Sequence, residues 1–491
     1  MNRRTIFFVV PRLCARASLF VFLIAVLCCA ANAADEPNFV FVFSDDVNRD
    51  SWGVYGNPDC KTPNIDRIAA EGMRFDNMYC TVAMCAPFRQ ELYSGCSPWR
   101  TGTLANHSKS VVGTKSIPHH LNSLGYRVGL LGKTHIGPRQ CYPFETMSGK
   151  GNHGFIASTK KFIESCQKNK KPFCLFVASH DGHAPHTTGD PSQYPPDKLN
   201  IPPYWLDTQE LRGNLSRYYA EVTNFDALVG RTRELLDKKG LLENTVFVVC
   251  SEQGVQFPFA KWTCFDNGLH IGFVARFPKR IKAGSVAPQL ISLADVAPTF
   301  VELAGGSLKA PDCDGRSFVS VLDGIPDEIN PYVFGAFTNC RIIDNRRRIY
   351  PIRSIRDKRY SLIYCANHKS LTSNVTLTQA LGMLDGQAPR GSKGRIAVSW
   401  VKERDSNPRA AFLVKRLFHH PQYALFDRTS DPYEEKNLAE DEVHRATFER
   451  LKTALHARLE ALGDTDPIVT EKKIAGGRKN QGRKKKDKRK T

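Results

Sequence analysis

Ten residues in five stretches of this chain have the side chains and spacing to bind a cation, hold an oxyanion or move a proton. They are Asp45 and Asp46; Cys85 and Arg89; Lys133 and His135; His183; and Glu252 and Gln253 with Lys261. Adjacent carboxylates such as Asp45 and Asp46 repel each other unless a hard cation and further oxygen ligands lie between them. The plainer alternative is a solvated Asp-Asp turn. Arg89 follows Cys85 by four residues, so if Pro87 opens a helix the guanidinium rises beside the thiol, and the helix N-terminus faces an anion. A lone arginine on a helix is otherwise a surface residue. Lys133 and His135 alternate along an extended segment and therefore point to one side. His180 and His186 flank His183 and read as loop histidines that support it.

Elements that could position these groups are visible nearby. The runs 39–43, 128–131, 173–178 and 246–250 are short, apolar and rich in β-formers, as expected of buried parallel strands. Polar residues follow each run at once: Asp45 and Asp46, Lys133 and His135, His180 and His183, Glu252 and Gln253. Ligands of an open parallel α/β sheet bind beyond the carboxyl ends of its strands, so the four groups are expected to converge. Thr62-Pro63 reads as the cap and first turn of a helix carrying Ile65, Ile68 and Ala69 and ending at Gly72. Leu215, Tyr218, Tyr219, Val222, Phe225, Leu228 and Val229 keep helical spacing up to a stop at Gly240. Alternating strands and helices to about residue 320 predict one large α/β domain. Beyond about Pro326 the text turns basic and loop-like.

The run Cys85-Ala86-Pro87-Phe88-Arg89 resembles the C-x-P-x-R signature of type I sulfatases, whose cysteine is oxidised to formylglycine. Family members carry Ser or Thr where this chain has Phe88, and Leu-Thr-Gly where it has Tyr93-Ser94-Gly95. The resemblance implies an aldehyde hydrate at position 85, made by a formylglycine-generating maturase, with one hydroxyl to attack a sulfate ester and a second to expel the sulfate. It implies one calcium ion held by residue 85, Asp45, Asp46 and the pair in Ser251-Glu252-Gln253-Gly254. The family's own pair is Asp-Asn, so both side chains here are one methylene longer. Gly132-Lys133-Thr134-His135 resembles the family's Gly-Lys-x-His segment, which makes Lys133 a sulfate ligand and His135 the base that collapses the sulfated intermediate. By the same resemblance His183 touches the scissile ester oxygen as general acid, Lys261 is the second sulfate-binding lysine, and Arg89 holds the formylglycine hydrate. Ala297-Pro298-Thr299-Phe300 is similar to a family helix, and residues 423–439 to its C-terminal subdomain, where a strand and turn precede a helix bearing Phe448, Leu451, Leu455, Leu459 and Leu462.

The implied fold is alkaline-phosphatase-like α/β: a central, mostly parallel sheet flanked by helices, plus a smaller α+β C-terminal subdomain. The stretches 132–138, 142–145 and 179–183 are similar to the heparan N-sulfatase branch, although that branch has His-Asp-Pro-His where this chain reads His180-Asp181-Gly182-His183. A sulfated carbohydrate, N- or O-sulfated, is the implied substrate, as in glycosaminoglycan degradation. A phosphoester or phosphonate monoester hydrolase of the same superfamily, and a silent polysaccharide-binding homologue, stay open as alternatives.

Bulk properties fit an exported enzyme. The 491 residues are too many for one ordinary core. Four arginines, an apolar run and Ala31-Asn32-Ala33 read as a signal peptide over 1–33, with a catalytic domain over 34–325, a subdomain over 326–468 and a basic tail over 469–491. The expected location is periplasmic or secreted. Removing the signal peptide leaves twelve of the 15 cysteines. Subtracting Cys85 leaves eleven, an odd number, so that outside the cytoplasm some can pair but at least one cannot. Half of the net charge of +20 sits between Lys472 and Thr491. No nucleic-acid motif accompanies that tail, so nucleic acid is not expected as the physiological ligand.

Overall fold

The computed structural model describes residues 36–338, 349–389 and 394–474, together with the backbone of two short strands, Ile342–Ile343 and Arg346–Arg347. The segment 1–33 read as a signal peptide and the tail beyond residue 474 lie outside the described residues.

One sheet of eight strands organises the first 300 residues. In chain order the strands are β1 (Asn38–Phe43), β2 (Met73–Tyr79), β3 (Arg127–Gly132), β4 (Glu145–Met147), β5 (Phe173–Ala178), β6 (Thr245–Cys250), β7 (Phe273–Arg276) and β8 (Ser285–Ser292). Their order across the sheet is β4-β3-β5-β1-β6-β7-β2-β8. The four runs expected from the sequence are β3, β5, β1 and β6, which lie side by side and pair in parallel. Every residue of β1, β5 and β6 is buried, which is why their text is continuously apolar rather than alternating. β7 alone runs antiparallel to its neighbours β6 and β2. Because the four central strands share a direction, the loops leaving them share one edge.

Helices α1 (Pro63–Ala70), α2 (Cys85–Ser94) and α3 (Gln209–Lys238) serve that edge or brace it. The start of α1 differs in detail from expectation. The Thr62 hydroxyl accepts from Gly53 N instead of capping the helix, and Asp226 of α3 accepts from Asn64 N at 3.0 Å and Ile65 N at 2.8 Å. Gly72 is not a left-handed stop either. The chain passes so close to β7 there that a Cβ would lie 2.1 Å from the Ala275 carbonyl oxygen. Pro87 does not open α2, which begins two residues earlier at Cys85. Proline is tolerated there because the first-turn N–H groups have no intrahelical acceptor. α3 runs to Lys238 and Gly240 follows at φ +67, as expected.

A second sheet, antiparallel throughout, joins Tyr423–Asp427, Tyr360–Cys365, Ile352–Arg356 and Val333–Phe337 in that order. The text before Tyr423 is not loop-like: it contains Thr378–Leu384, α4 (Arg395–Glu403) and α5 (Pro408–Phe418). α5 buries Ala410, Leu413, Val414 and Leu417, a helical spacing masked in the sequence by interspersed Lys and Arg. The last long helix, α6 (Arg445–Ala461), buries Phe448, Leu451, Leu455 and Leu459 against this sheet, while Leu462 falls one residue past its end. The eleven cysteines among the described residues are all free and buried; ten of them pack in the apolar core, and Cys85 does not.

Asp226→Ala removes the side chain that closes α1 from a distant helix. A loss of about 2 kcal/mol is expected, seen as a fall of several degrees in the melting temperature.

Candidate active site

The floor of the site is the turn after β1. Asp45 and Asp46 are fully buried, and Asp46 sits in the left-handed region at φ +56. Asp45 N donates to Asp181 O at 3.0 Å, tying this turn to the loop after β5. In that loop Gly182 has φ +97, and a Cβ there would lie 2.3 Å from Asp45 O. Only glycine fits, and proline, fixed near φ −65°, is excluded. Glu221 of α3 holds the same loop by accepting from Gly182 N, Thr187 N and Thr188 N.

Cys85, in the first turn of α2, reaches into the floor. Its Sγ lies 3.6 Å from an oxygen of Asp45 and 3.6 Å from one of Asp46, and 3.4 Å from both Gln253 Nε2 and Lys261 Nζ. Arg89 is completely buried, with Nε 2.7 Å from Glu252 Oε1, Nη1 donating to Lys133 O at 2.8 Å, and its guanidinium over the Phe43 ring. Lys133 Nζ pairs with Asp45. Lys261 Nζ donates to both oxygens of Asp46 at 2.6 and 2.5 Å. Gln253 Nε2 donates to Asp46 and, at 3.1 Å, to Glu252 Oε2. Nine of the ten sequence-nominated residues are thereby interlocked, His135 being the exception, and His183 stands at the margin with Nε2 3.7 Å from Asp46 Oδ2.

Electrostatics follow from this crowding. Burial opposes ionisation of Asp45, but a hydrogen bond from Glu252 and the Lys133, Arg89 and Lys261 charges hold it well below the usual carboxylate range. Burial and the Asp45 charge push Glu252 up to about 8 against the pull of Arg89. Burial, then Glu252 and the two aspartates, push the Cys85 thiol far up, with Lys261 opposing. A thiol here stays protonated at neutral pH and makes a poor nucleophile.

The donor set suits a hard cation. Ligand-type atoms of Asp45, Asp46, Cys85 and Glu252 all lie within 4.8 Å of one another, and Gln253 Oε1 is buried with no hydrogen-bond partner. An amide oxygen and three carboxylates are oxygen ligands of the kind calcium takes.

Above the floor opens a cleft of about 850 Å3, lined by Cys85, His107, His135, His183, Lys261 and Trp262 among others. His135 does not reach the carboxylates. Its Nε2 lies 2.6 Å from His107 Nδ1, and both residues hold left-handed backbones, φ +49 and +63. Burial, Lys133 and His107 push the His135 imidazole down to about 3. His183 Nδ1 donates to Ala184 O, which leaves Nε2 toward the cleft, where Gln256 lies 3.2 Å away and also donates to Asp46. His186 is buried and bonded to Gly182 O, a loop-holding role, and His180 is exposed. His107, Gln256, Glu221 and Asn106, whose Oδ1 accepts from Ala86 N, were not foreseen. Only the polar residue type of Gln256, three after Gln253, offered a signal.

A family model described as Sulfatase matches residues 37–307, and one described as N-sulphoglucosamine sulphohydrolase, C-terminal, matches residues 254–375. An ulvan-active sulfatase of Formosa agariphila is 31% identical over 91% of this chain and 86% of its own length. The human N-sulphoglucosamine sulphohydrolase is 25% identical over 91% of this chain and 92% of its own. A solved structure described as in complex with its substrate D-glucosamine-2-N,6-O-disulfate superposes with a TM-score of 0.64 at 18% identity, covering 88% of this chain and 99% of that one. A phosphonate monoester hydrolase of Agrobacterium radiobacter superposes at 0.63 with 16% identity, covering 87% and 95%. These superpositions bear on the fold alone.

Gly182→Ala and Gly240→Ala separate close approach from backbone conformation. Both positions have positive φ, but nothing lies within 4 Å of a Cβ at Gly240. The Gly240 variant is expected to cost about 1 kcal/mol. The Gly182 variant is expected to lower the melting temperature by a clearly larger margin.

Proposed function

The chain belongs to the sulfatase family, and we propose that it is an exported enzyme that removes sulfate from sulfated sugars by means of a formylglycine formed from Cys85 and one calcium ion. As a family member it is a sulfuric ester hydrolase. The observation that carries the finer reading is the meeting of Cys85 with three carboxylates and three cationic side chains within one buried cluster. The Arg-rich, apolar start of the sequence supports export. Sulfated sugars are supported by relatives named for ulvan and for N-sulphoglucosamine.

The charge balance supports an anionic substrate. Once a divalent cation displaces the Glu252 proton, Asp45, Asp46 and Glu252 offset Arg89, Lys133 and Lys261, and the ion leaves the cluster with two positive charges in excess. Calcium, held by Asp45, Asp46, Glu252, the Gln253 amide oxygen and residue 85, would supply charge against the sulfate oxygens. Formylglycine at position 85 would supply, as a hydrated aldehyde, the oxygen nucleophile that the protonated thiol cannot. Lys133 and Lys261 hold the sulfate oxygens, and their charges act in a site from which water is largely excluded. Arg89 fixes Glu252 and the backbone at Lys133, so residue 85 and the sulfate-binding lysine are positioned together. His183 gives a proton to the leaving oxygen or nitrogen through Nε2, and His135, whose ring meets His107 here, takes one from residue 85 only after that ring turns from His107 toward the floor.

Mass spectrometry of the peptide containing residue 85, after co-expression with a formylglycine-generating maturase, is expected to show a loss of about 18 Da relative to cysteine. Unmodified thiol alone would overturn this part of the reading. Chelation is expected to abolish sulfate release from sulfated oligosaccharides, with calcium restoring it. Faster turnover of nitrophenyl phosphate than of any sulfated sugar would favour a phosphoester hydrolase instead.

A further inference from the structure

Beyond the reaction centre, the cleft carries two arginines that the chemistry above does not use. Arg217 and Arg395 both line it, both are exposed, and neither has an ion pair among the described residues. They come from different parts of the chain. Arg217 lies on α3, where Glu210, Asn214 and Arg217 share one face at i, i+4 and i+7. Arg395 is the first residue of α4. The two helices are pinned to each other by the Thr208 hydroxyl, which accepts from Leu211 N to cap α3 and hydrogen-bonds Ser399 of α4 at 3.0 Å. Arg217 is also aimed, since its Nη2 donates to Asn214 Oδ1 at 3.1 Å, while Asn214 Nδ2 donates to Glu210. Among the described residues Glu210 is the one carboxylate in the cleft lining, and it accepts from Asn214. Trp262, half-buried beside Lys261, supplies an aromatic face in the same cleft.

We infer that Arg217 and Arg395 form a subsite for a second anionic group of the substrate, a carboxylate or a further sulfate on the sugar that bears the scissile sulfate or on its neighbour. Guanidinium groups without carboxylate partners, carried into one cleft by two helices that are pinned to each other, can each pair two oxygens of either anion. A neutral polysaccharide backbone would leave both charges unmatched. The preferred substrate is therefore a multiply charged oligosaccharide, with the reacting sulfate at residue 85 and the sugar against Trp262. This rests on the sulfatase reading of the same site.

The test compares kcat/KM for three substrates: a monosulfated neutral sugar, a monosulfated disaccharide with a uronate carboxylate, and a disulfated disaccharide without one. The enzyme is expected to prefer one or both of the doubly anionic substrates, the arm that wins identifying carboxylate or sulfate as the occupant. Arg217→Gln and Arg395→Gln are each expected to lower that preference ratio about tenfold, mainly through KM, and Arg217→Lys to recover part of it. Release of sulfate from all three with no preference, or a ratio unmoved by either variant, overturns the subsite and leaves the sulfatase reading standing. No sulfate release from any of them, with residue 85 shown to be converted, overturns both.

Discussion

Burying three carboxylates in one place is the constraint on which the rest of this structure depends. Asp45, Asp46 and Glu252 are each out of water, and a buried charge without a partner costs several kcal/mol. The compensation comes from three separate segments: Arg89 on α2, Lys133 after β3 and Lys261 in the loop after β6. Each of these pairs spans tens to hundreds of residues of chain, so the cluster cannot form unless the sheet edge, α2 and the later loops are all in place. Residue 85 lies at the centre because it opens the helix that delivers Arg89. Its position is a consequence of charge pairing that stabilises the fold as much as it serves chemistry.

The strands that carry this edge were readable because they are buried on both faces, which leaves no solvent side to break the apolar run. The same reasoning explains what was not readable. β2 mixes buried residues with the half-buried Arg74, Asp76 and Asn77, and β7 is four residues long. Neither resembles a central strand in sequence, although together they carry the sheet out to β8. In the site itself the chemistry-bearing residue types and their distances along the chain were legible, while the loop conformations were not. Asp46, His107, His135 and Trp262 hold positive φ without being glycine, and no local sequence rule announces that. The left-handed turn at His135 carries its ring to His107 and away from the carboxylates, so alternation along an extended segment correctly placed Lys133 and misplaced its neighbour.

The C-terminal part shows how basic composition misleads. Arg353 and Arg356 lie in text that is basic in sequence, yet both are buried, and Arg428 is half-buried. Arg353 Nε meets Asp464 at 2.5 Å, and Arg356 and Arg428 share Asp266, which follows the loop bearing Lys261. Arginine suits such places because it stays charged and offers several donors in one plane. The two pairs to Asp266 fasten the second sheet to the segment between β6 and β7, Arg353 holds the chain end after α6, and Thr208 and Ser399 fasten α4 beside the cleft. The smaller unit thus closes one wall of the cleft.

The longer side chains of Glu252 and Gln253, where the family pattern has Asp and Asn, have a reason in this framework. The backbone beyond them is fixed: Ser251 N donates to Gly272 O, Gly254 N donates to Gly268 O, and a Cβ at Gly254 would lie 2.1 Å from Asn267 O. That stretch cannot move toward the floor without breaking its attachment to the segment leading into β7. From that fixed backbone Glu252 reaches both the Arg89 guanidinium and the Asp45 carboxylate, and Gln253 spans to Asp46 and Cys85. An aspartate and asparagine would end about 1.5 Å short of the same partners. Arg89 would then face an unfilled gap in a buried site, at a cost comparable to breaking a buried ion pair. The extra methylenes therefore compensate for where the loop is anchored and keep a carboxyl and an amide group at the cluster.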